Sequence, residues 1–528
     1  MYIYNDKLLG AWPLLKEKPI SSRPTHYSAY HPDRVVSGFV RRLESSGSCV
    51  WGNDGLGQSK TEELSKKLKF LSLLPHFTVV NGKYVPLTPS VMDPKIYDGP
   101  ANYKIAPKLQ DCLKDVMKKP NLRPIKVALV DLTKGRMQPE FAGSFDHKQQ
   151  VFVASVSKIA TMLAAFQLRQ DLRVVWKMKH AKTLVELFDR VRNDWAATQH
   201  DPGDKATPFM RGASLRGKLV LWNGAPVLLG APKSPQLETI FRPVLAALPI
   251  EFSSTGENEA QLQTIAKEFN QAKSGYDWAR DRLSKEKEKG NAGRIAEATK
   301  GFQEKLQKLN QEIARIDTLG FWERMGITIG GDVPVSNYTT STIVRDVGFP
   351  YIASTLLQAG LYDTNRGGGL WLGARYWGSS WRGPLGGGVA QSATASSLAA
   401  FMTLLAQRRL VSPEASGVMQ FFMRKIANNP FPGTGSWFEV GLRSLGPLKT
   451  LLAKVGLAGG GADDCAYIER EVDDGQGGKK TLCYVAVGLR AKRGSDLENL
   501  IRELDKCILA NNGLKPEHGG HPKEIEKK

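Results

Sequence analysis

A serine and a lysine three residues apart, Ser155 and Lys158 in Ser155-Val156-Ser157-Lys158, are the residues of this chain best placed to do chemistry. They head an apolar run, Ile159-Ala160-Thr161-Met162-Leu163-Ala164-Ala165-Phe166, that reads as a helix. Residues three apart on a helix share a face, so a neutral Lys158 amine could take the proton of the Ser155 hydroxyl and activate a weak nucleophile. That is the chemistry of serine acyl transfer. It makes two demands: the lysine must lose its proton near neutral pH, and the developing oxyanion needs donors. A helix N-terminus, with free N–H groups and a positive dipole end, helps with the second.

The pattern alone is common, since about two Ser-x-x-Lys matches arise by chance in a chain of this length. A second one, Ser284-Lys285-Glu286-Lys287, sits in a strongly charged stretch and reads as a solvated helix face. The surroundings must therefore decide. The chain has 528 residues, 41% of them hydrophobic and 24% charged, an ordinary globular composition long enough for several domains or one with large insertions. No apolar run has the length of a membrane-spanning helix. Met1-Tyr2-Ile3-Tyr4-Asn5-Asp6-Lys7 lacks the pattern of a secretory signal, so a cytoplasmic location is the expectation from these residues. A net charge of +21 favours an anionic partner at the surface. Lys and Arg are spread along the chain without a nucleic-acid motif, so nucleic acid is not expected. Cys49, Cys112, Cys465, Cys483 and Cys507 form no Cys-x-x-Cys and no grouping with histidine, so neither a metal nor a cofactor is expected.

The elements that must position Ser155 and Lys158 follow from periodicity. Residues 1–120 are rich in proline and carry no assignable function. Gly52-Asn53-Asp54-Gly55-Leu56-Gly57-Gln58-Ser59 has the glycine spacing of a phosphate-binding loop but Gln58 at the lysine position, and reads as a turn. Ile125–Leu132 reads as a strand, returning over Met137–Ala142. Residues 159–319 form an insertion, within which Leu262, Ile265, Phe269, Phe302, Leu306, Leu309 and Ile313 predict an antiparallel helical hairpin over 257–316. Helical segments follow around Ile343–Leu361 and at Ser396–Arg408. Strands follow at Leu451–Gly456, Cys465–Glu471 and Leu482–Leu489, and then a closing helix at Leu497–Ala510. Residues 511–528 read as a disordered tail. The predicted fold is α+β: one antiparallel sheet built from both chain ends (121–158 and 320–510), with helices on both faces and a helical domain.

Phe152-Val153-Ala154-Ser155-Val156-Ser157-Lys158, then a Ser/Asn motif, then a Lys-x-Gly on a strand resemble, in that order, the penicillin-recognising serine enzymes. These are the class A β-lactamases, the DD-peptidases and related serine hydrolases. The resemblance covers Ile125–Lys158 and Gly320–Ala510. It is clearest at Lys454-Val455-Gly456-Leu457, Asp464-Cys465-Ala466-Tyr467-Ile468 and Tyr484-Val485-Ala486-Val487-Gly488-Leu489. It implies that Lys454 favours the neutral form of Lys158 and pairs with a substrate carboxylate, while the backbone N–H groups of Ser155 and Leu457, next to Gly456, form the oxyanion hole. Lys273-Ser274-Gly275 is a closer literal match to the lysine motif but lies in the helical insertion. For the middle motif, Val335-Ser336-Asn337 makes Asn337 the substrate-binding amide and puts Val335 where a proton-shuttling hydroxyl is usual. The register Ser336-Asn337-Tyr338 restores the hydroxyl and loses the amide.

The resemblance also implies a deacylating loop glutamate. No Glu occurs between Glu323 and Glu414, and Asp363 is the only acid in the corresponding loop. The expected function is a serine acyl-transfer hydrolase with Ser155 as nucleophile and Lys158 as base. It would act on a β-lactam, peptide, amide or ester of small-molecule or peptide type, with poor deacylation of β-lactams. The alternative is a catalytically weak or inactive scaffold of this type that serves as a binding or assembly module. Family resemblance implies export, and in that compartment Cys465 and Cys483, on adjacent strands, could form a cross-strand disulfide, although two buried free thiols are the commoner outcome.

Overall fold

The computed structural model describes residues 77–80, 83–86, 104–178, 256–347, 352, 355–356, 359–363, 368–373, 376, 391–424, 435–458 and 461–521. The glycine-rich loop at 52–59 lies outside them. Along the strand Lys126–Asp131, Val127 and Leu129 belong to one core and Ala128 and Val130 to another, and all four are fully buried. A strand buried on both faces must lie inside a sheet that is covered on each side.

That sheet has six strands. The first chain end supplies β1 (Lys104–Ile105), β2 (Lys126–Asp131) and β3 (Glu140–Gly143). With β4 (Val151–Phe152), β5 (Trp371–Leu372) and β6 (Gln391–Ala393) forming a small separate sheet, the second chain end supplies β7 (Leu448–Ala458), β8 (Gly461–Asp473) and β9 (Lys479–Ala491). The spatial order is β7-β8-β9-β2-β3-β1, antiparallel throughout except for β1 beside β3. Tyr484–Leu489 of β9 pairs with Lys126–Asp131 of β2 and so joins the two chain ends.

One face carries α1 (Pro107–Val116), α9 (Trp437–Arg443) and α10 (Gly494–Asn511), packed on Val127, Leu129, Leu451 and Ala453. The other face carries the helical lobe: α2 (Ile159–Met178), α5 (Phe321–Gly330), α6 (Val335–Val347), α7 (Ala395–Ala406) and α8 (Pro413–Met423). Every residue of α7 is buried, which places it at the centre of that lobe. The predicted hairpin is present as α3 (Gly256–Lys289) and α4 (Ala292–Asp317). Gly290 turns it with φ +72°, and the Asn291 side chain caps α4 by accepting from the Arg294 N–H. Leu262, Ile265, Phe269, Leu309 and Ile316 bury the base of the hairpin in the helical core, while Ser284, Lys285 and Lys287 are exposed on α3. No helix among the described residues is long and apolar enough to cross a membrane.

Three sequence-based expectations change. First, the domain begins before residue 120: β1 extends the sheet, and Leu109 and Leu113 of α1 are fully buried under α10. Second, the tail from Asn511 is folded as far as His521. Asn511 and Asn512 donate to Asp131 at 2.8 and 2.6 Å, and His521 Nε2 lies 2.9 Å from Asp505 Oδ2. The physical reason is Arg470, a fully buried guanidinium that needs the Asp505 carboxylate and the Gly519 carbonyl, 2.6 Å from Nη2.

Third, a disulfide forms where none was expected, while Cys465 and Cys483 are free thiols, the commoner of the two outcomes read for that pair. Cys465 faces Val487 and Cys483 faces Glu469, so the register sets the two thiols four positions apart along the ladder. The disulfide is instead Cys112–Cys507, which joins α1 to α10 across 395 residues of sequence. Replacing both cysteines by alanine should lower stability by about 2–5 kcal/mol. Denaturant unfolding with and without reductant measures this, and identical midpoints would contradict the bridge.

Candidate active site

Ala154–Lys158 forms a 3-10 turn that runs into α2, where the apolar run implied the first turn of an α-helix. In a 3-10 turn residues i and i+3 eclipse, so Ser155 and Lys158 still share one side. The turn starts from strain. Ala154 has φ +44°, a left-handed conformation that costs a non-glycine residue roughly 1–3 kcal/mol. Its carbonyl accepts from Ser157 Oγ at 2.8 Å and from Tyr376 Oη at 3.0 Å, which hold the turn in place. Ser155 is half-buried, whereas Val156, Ser157 and Lys158 are buried.

β7 positions the turn from the sheet side. Leu451 and Ala453 face the core under α10 and Leu452 faces the helical lobe, so alternation turns Lys454 and Gly456 towards the lobe as well. A Cβ on Gly456 would lie 2.4 Å from the Val153 carbonyl oxygen and 3.1 Å from Val156 Cγ2, so only glycine lets the strand approach this closely. Gly456→Ala should push β7 off the turn, costing about 1–3 kcal/mol as an overpacked contact. Chemical denaturation combined with an acylation assay checks this. Unchanged stability and labelling would show that the close approach is dispensable.

Lys158 is fully buried, and its Nζ donates to Ser336 Oγ at 2.6 Å and to Asn337 Oδ1 at 2.7 Å. Both acceptors belong to the first turn of α6, adjacent residues that straddle the amine. Val335 is fully buried, and its N–H donates to Asn270 Oδ1 of α3 at 2.8 Å. Asn337 thus meets Lys158 as the first register expects, and the hydroxyl of Ser336, one residue after Val335, meets it as well. Burial, and then the charge of Lys454, holds the Lys158 amine well below the usual lysine range. Among the described residues no carboxylate pairs with Lys158.

Lys454 is buried and donates to the Ile329 carbonyl at the end of α5, at 2.6 Å. Leu457 pairs with Ala462 at the sheet edge, and its side chain is 60% exposed. Lys273 of the competing Lys273-Ser274-Gly275 lies on α3 in an ion pair with Asp277. Asp363 sits on the short strand Tyr362–Asp363, paired with Gly368.

Tyr376 was not anticipated. It comes from the glycine- and tryptophan-rich loop, where an aromatic reads as packing and no spacing ties it to Ser155. Its Oη is bonded to Ala154 O and lies 3.2 Å from Ser157 Oγ. Its ring centroid is 4.5 Å from Lys158 Nζ. Burial raises the phenol above its usual range and outweighs the opposing hydrogen bond with Ser157, so it stays protonated at neutral pH. Among the described residues Lys158 Nζ makes no hydrogen bond to Ser155.

No family model and no curated protein matches this chain. Among solved structures it is similar to the β-lactamase of Sphaerobacter thermophilus DSM 20745, with 12% identity over 77% of this chain and 97% of that one and a TM-score of 0.34. It is also similar to PBP-A, with 18% identity over 37% of this chain and 63% of that one and a TM-score of 0.25. A PBP-A mutant solved as an acyl-enzyme complex with penicillin G matches over the same shares, with 16% identity and a TM-score of 0.25. A sheet joined from both chain ends, a helical lobe on one face, and a Ser-x-x-Lys turn packed on the edge strand make up the mixed α+β arrangement in which the candidate site sits.

Proposed function

We propose that this chain is a serine acyl-transfer hydrolase. The carrying observation is Lys158: a buried lysine one 3-10 turn after a half-buried serine, with a second lysine beside it and its N–H groups directed at Ser336 and Asn337. A neutral amine has two N–H groups and one lone pair. With both N–H groups engaged, the lone pair is left to accept the Ser155 proton.

Ser155 Oγ then attacks a carbonyl carbon as its proton passes to Lys158. The N–H groups of Ser155 and Leu457 take the oxyanion. Collapse of the tetrahedral intermediate breaks the bond to the leaving group, and the proton reaches that group from Lys158 through Ser336 Oγ, 2.6 Å from Nζ. With its Oδ1 on Lys158, Asn337 keeps its amide N–H groups for the substrate. Lys454 holds positive charge next to the amine and meets a substrate carboxylate. The substrate is a β-lactam, peptide, amide or ester. With no loop glutamate, the expected time course is a burst of one product equivalent followed by slow turnover. A panel of a penicillin, a p-nitrophenyl ester and a peptide ending in D-alanine tests this, and no burst with any of them would contradict it.

The alternative, a scaffold of this type used for binding, is favoured by one observation: among the described residues Lys158 Nζ makes no hydrogen bond to Ser155. Substrate-range ligands that bind tightly and equally to wild type and Ser155→Ala, with no covalent product, would establish it.

A further inference from the structure

We propose that Tyr376 is a positioning residue that covers the Ser155–Lys158 pair against water, so that the acyl group on Ser155 is long-lived. This rests on the acyl-transfer reading above. Deacylation adds the hydroxyl of water to the acyl carbon and returns the proton to Ser155 Oγ, giving a free acid and a free serine. The water must sit within hydrogen-bond reach of a base, and it needs two to four polar partners of its own.

Tyr376 takes the space with its ring. Its hydroxyl, bonded to Ala154 O at 3.0 Å and 3.2 Å from Ser157 Oγ, helps to hold that ring over the turn. Its ring lies against Lys158, 4.5 Å from Nζ to the centroid, on the amine that would activate such a water. The two N–H groups of that amine are engaged by Ser336 and Asn337. The sequence from 363 to 390 contains no glutamate, and its one acid, Asp363, lies on a strand paired with Gly368. A phenol that stays protonated offers no base in exchange. The residue that fills this place thus shields the ester bond and does not hydrolyse it.

The test is the decay of the acyl group on Ser155, followed by intact mass after a pulse of a fluorescent penicillin and, separately, of p-nitrophenyl butyrate. Wild type, Tyr376→Phe, Tyr376→Gly and Tyr376→Val are compared. Phenylalanine keeps the ring and should hold the acyl group within about threefold of the wild-type lifetime. Glycine and valine, without the ring, should shed it at least about tenfold faster. Equal lifetimes in all four proteins would overturn the proposal, as would fast loss in the phenylalanine variant. Failure of the glycine and valine variants to label while wild type labels would place Tyr376 in acylation and also overturn it. No label on wild type would overturn the acyl-transfer reading and this inference with it.

Discussion

Ser155→Ala should lower turnover of any acyl substrate by about ten-thousand-fold or more, the scale on which serine nucleophiles act as a unit with their base. Folding should hardly change. Ser155 is half-buried, so the loss of its hydroxyl should stay within about 1 kcal/mol. This separation between activity and stability is the informative part of the result. A turn that was merely structural would show the reverse, with activity and midpoint falling together. Kinetics on an activated ester, with unfolding midpoints of both proteins, measure the two quantities. Retained turnover in the alanine protein would remove Ser155 from the mechanism.

Lys158→Met should cost about 10²–10⁴-fold in acylation rate, the range of a positioned general base. Its second signature is in pH. Burial and Lys454 lower the folded-state value of Lys158 well below the ordinary 10.5. Between that lowered value and 10.5 the unfolded chain binds one more proton than the folded chain, so wild-type stability rises with pH across this window. The slope approaches about 1.36 kcal/mol per pH unit, and the methionine variant lacks this contribution. The variant therefore gains on wild type as pH falls. Wild-type acylation should likewise rise with pH through the lowered value and level off where an ordinary lysine is still protonated. Parallel stability profiles for the two proteins would mean that Lys158 keeps its proton in the folded state.

Local patterns carried most of the fold. The apolar stretches around Val127–Val130 and Val485–Val487 announced buried strands, and the helical spacing of Leu262, Ile265 and Phe269 announced the hairpin, because both signals depend on near neighbours alone. The candidate site was read from the same kind of context. Ser155, Lys158, Asn337 and Lys454 could be named because strand and helix context separated them from Ser284-Lys285-Glu286-Lys287 and Lys273-Ser274-Gly275. What escaped depended on distance or on backbone detail. Cys112 and Cys507 are 395 residues apart and share no spacing signal. Ser336 and Asn337 both reach Lys158 because two adjacent residues of one helical turn straddle the amine, a geometry no linear register expresses. Tyr376 reaches the turn at Ala154 from a loop whose path has no periodicity to read. The folded tail answers a buried arginine, Arg470, whose need for acceptors is set by tertiary packing.

The most direct measurement is mass analysis of the tryptic peptide Gln149–Lys158 after exposure to a fluorescent penicillin and to an activated ester. That peptide contains both Ser155 and Ser157, and fragmentation separates them. The predicted result is one acyl group, on Ser155, absent from the Lys158→Met protein over the same interval. An unmodified peptide with every acyl donor, or an acyl group on Ser157, would contradict the assignment of Ser155 as the nucleophile.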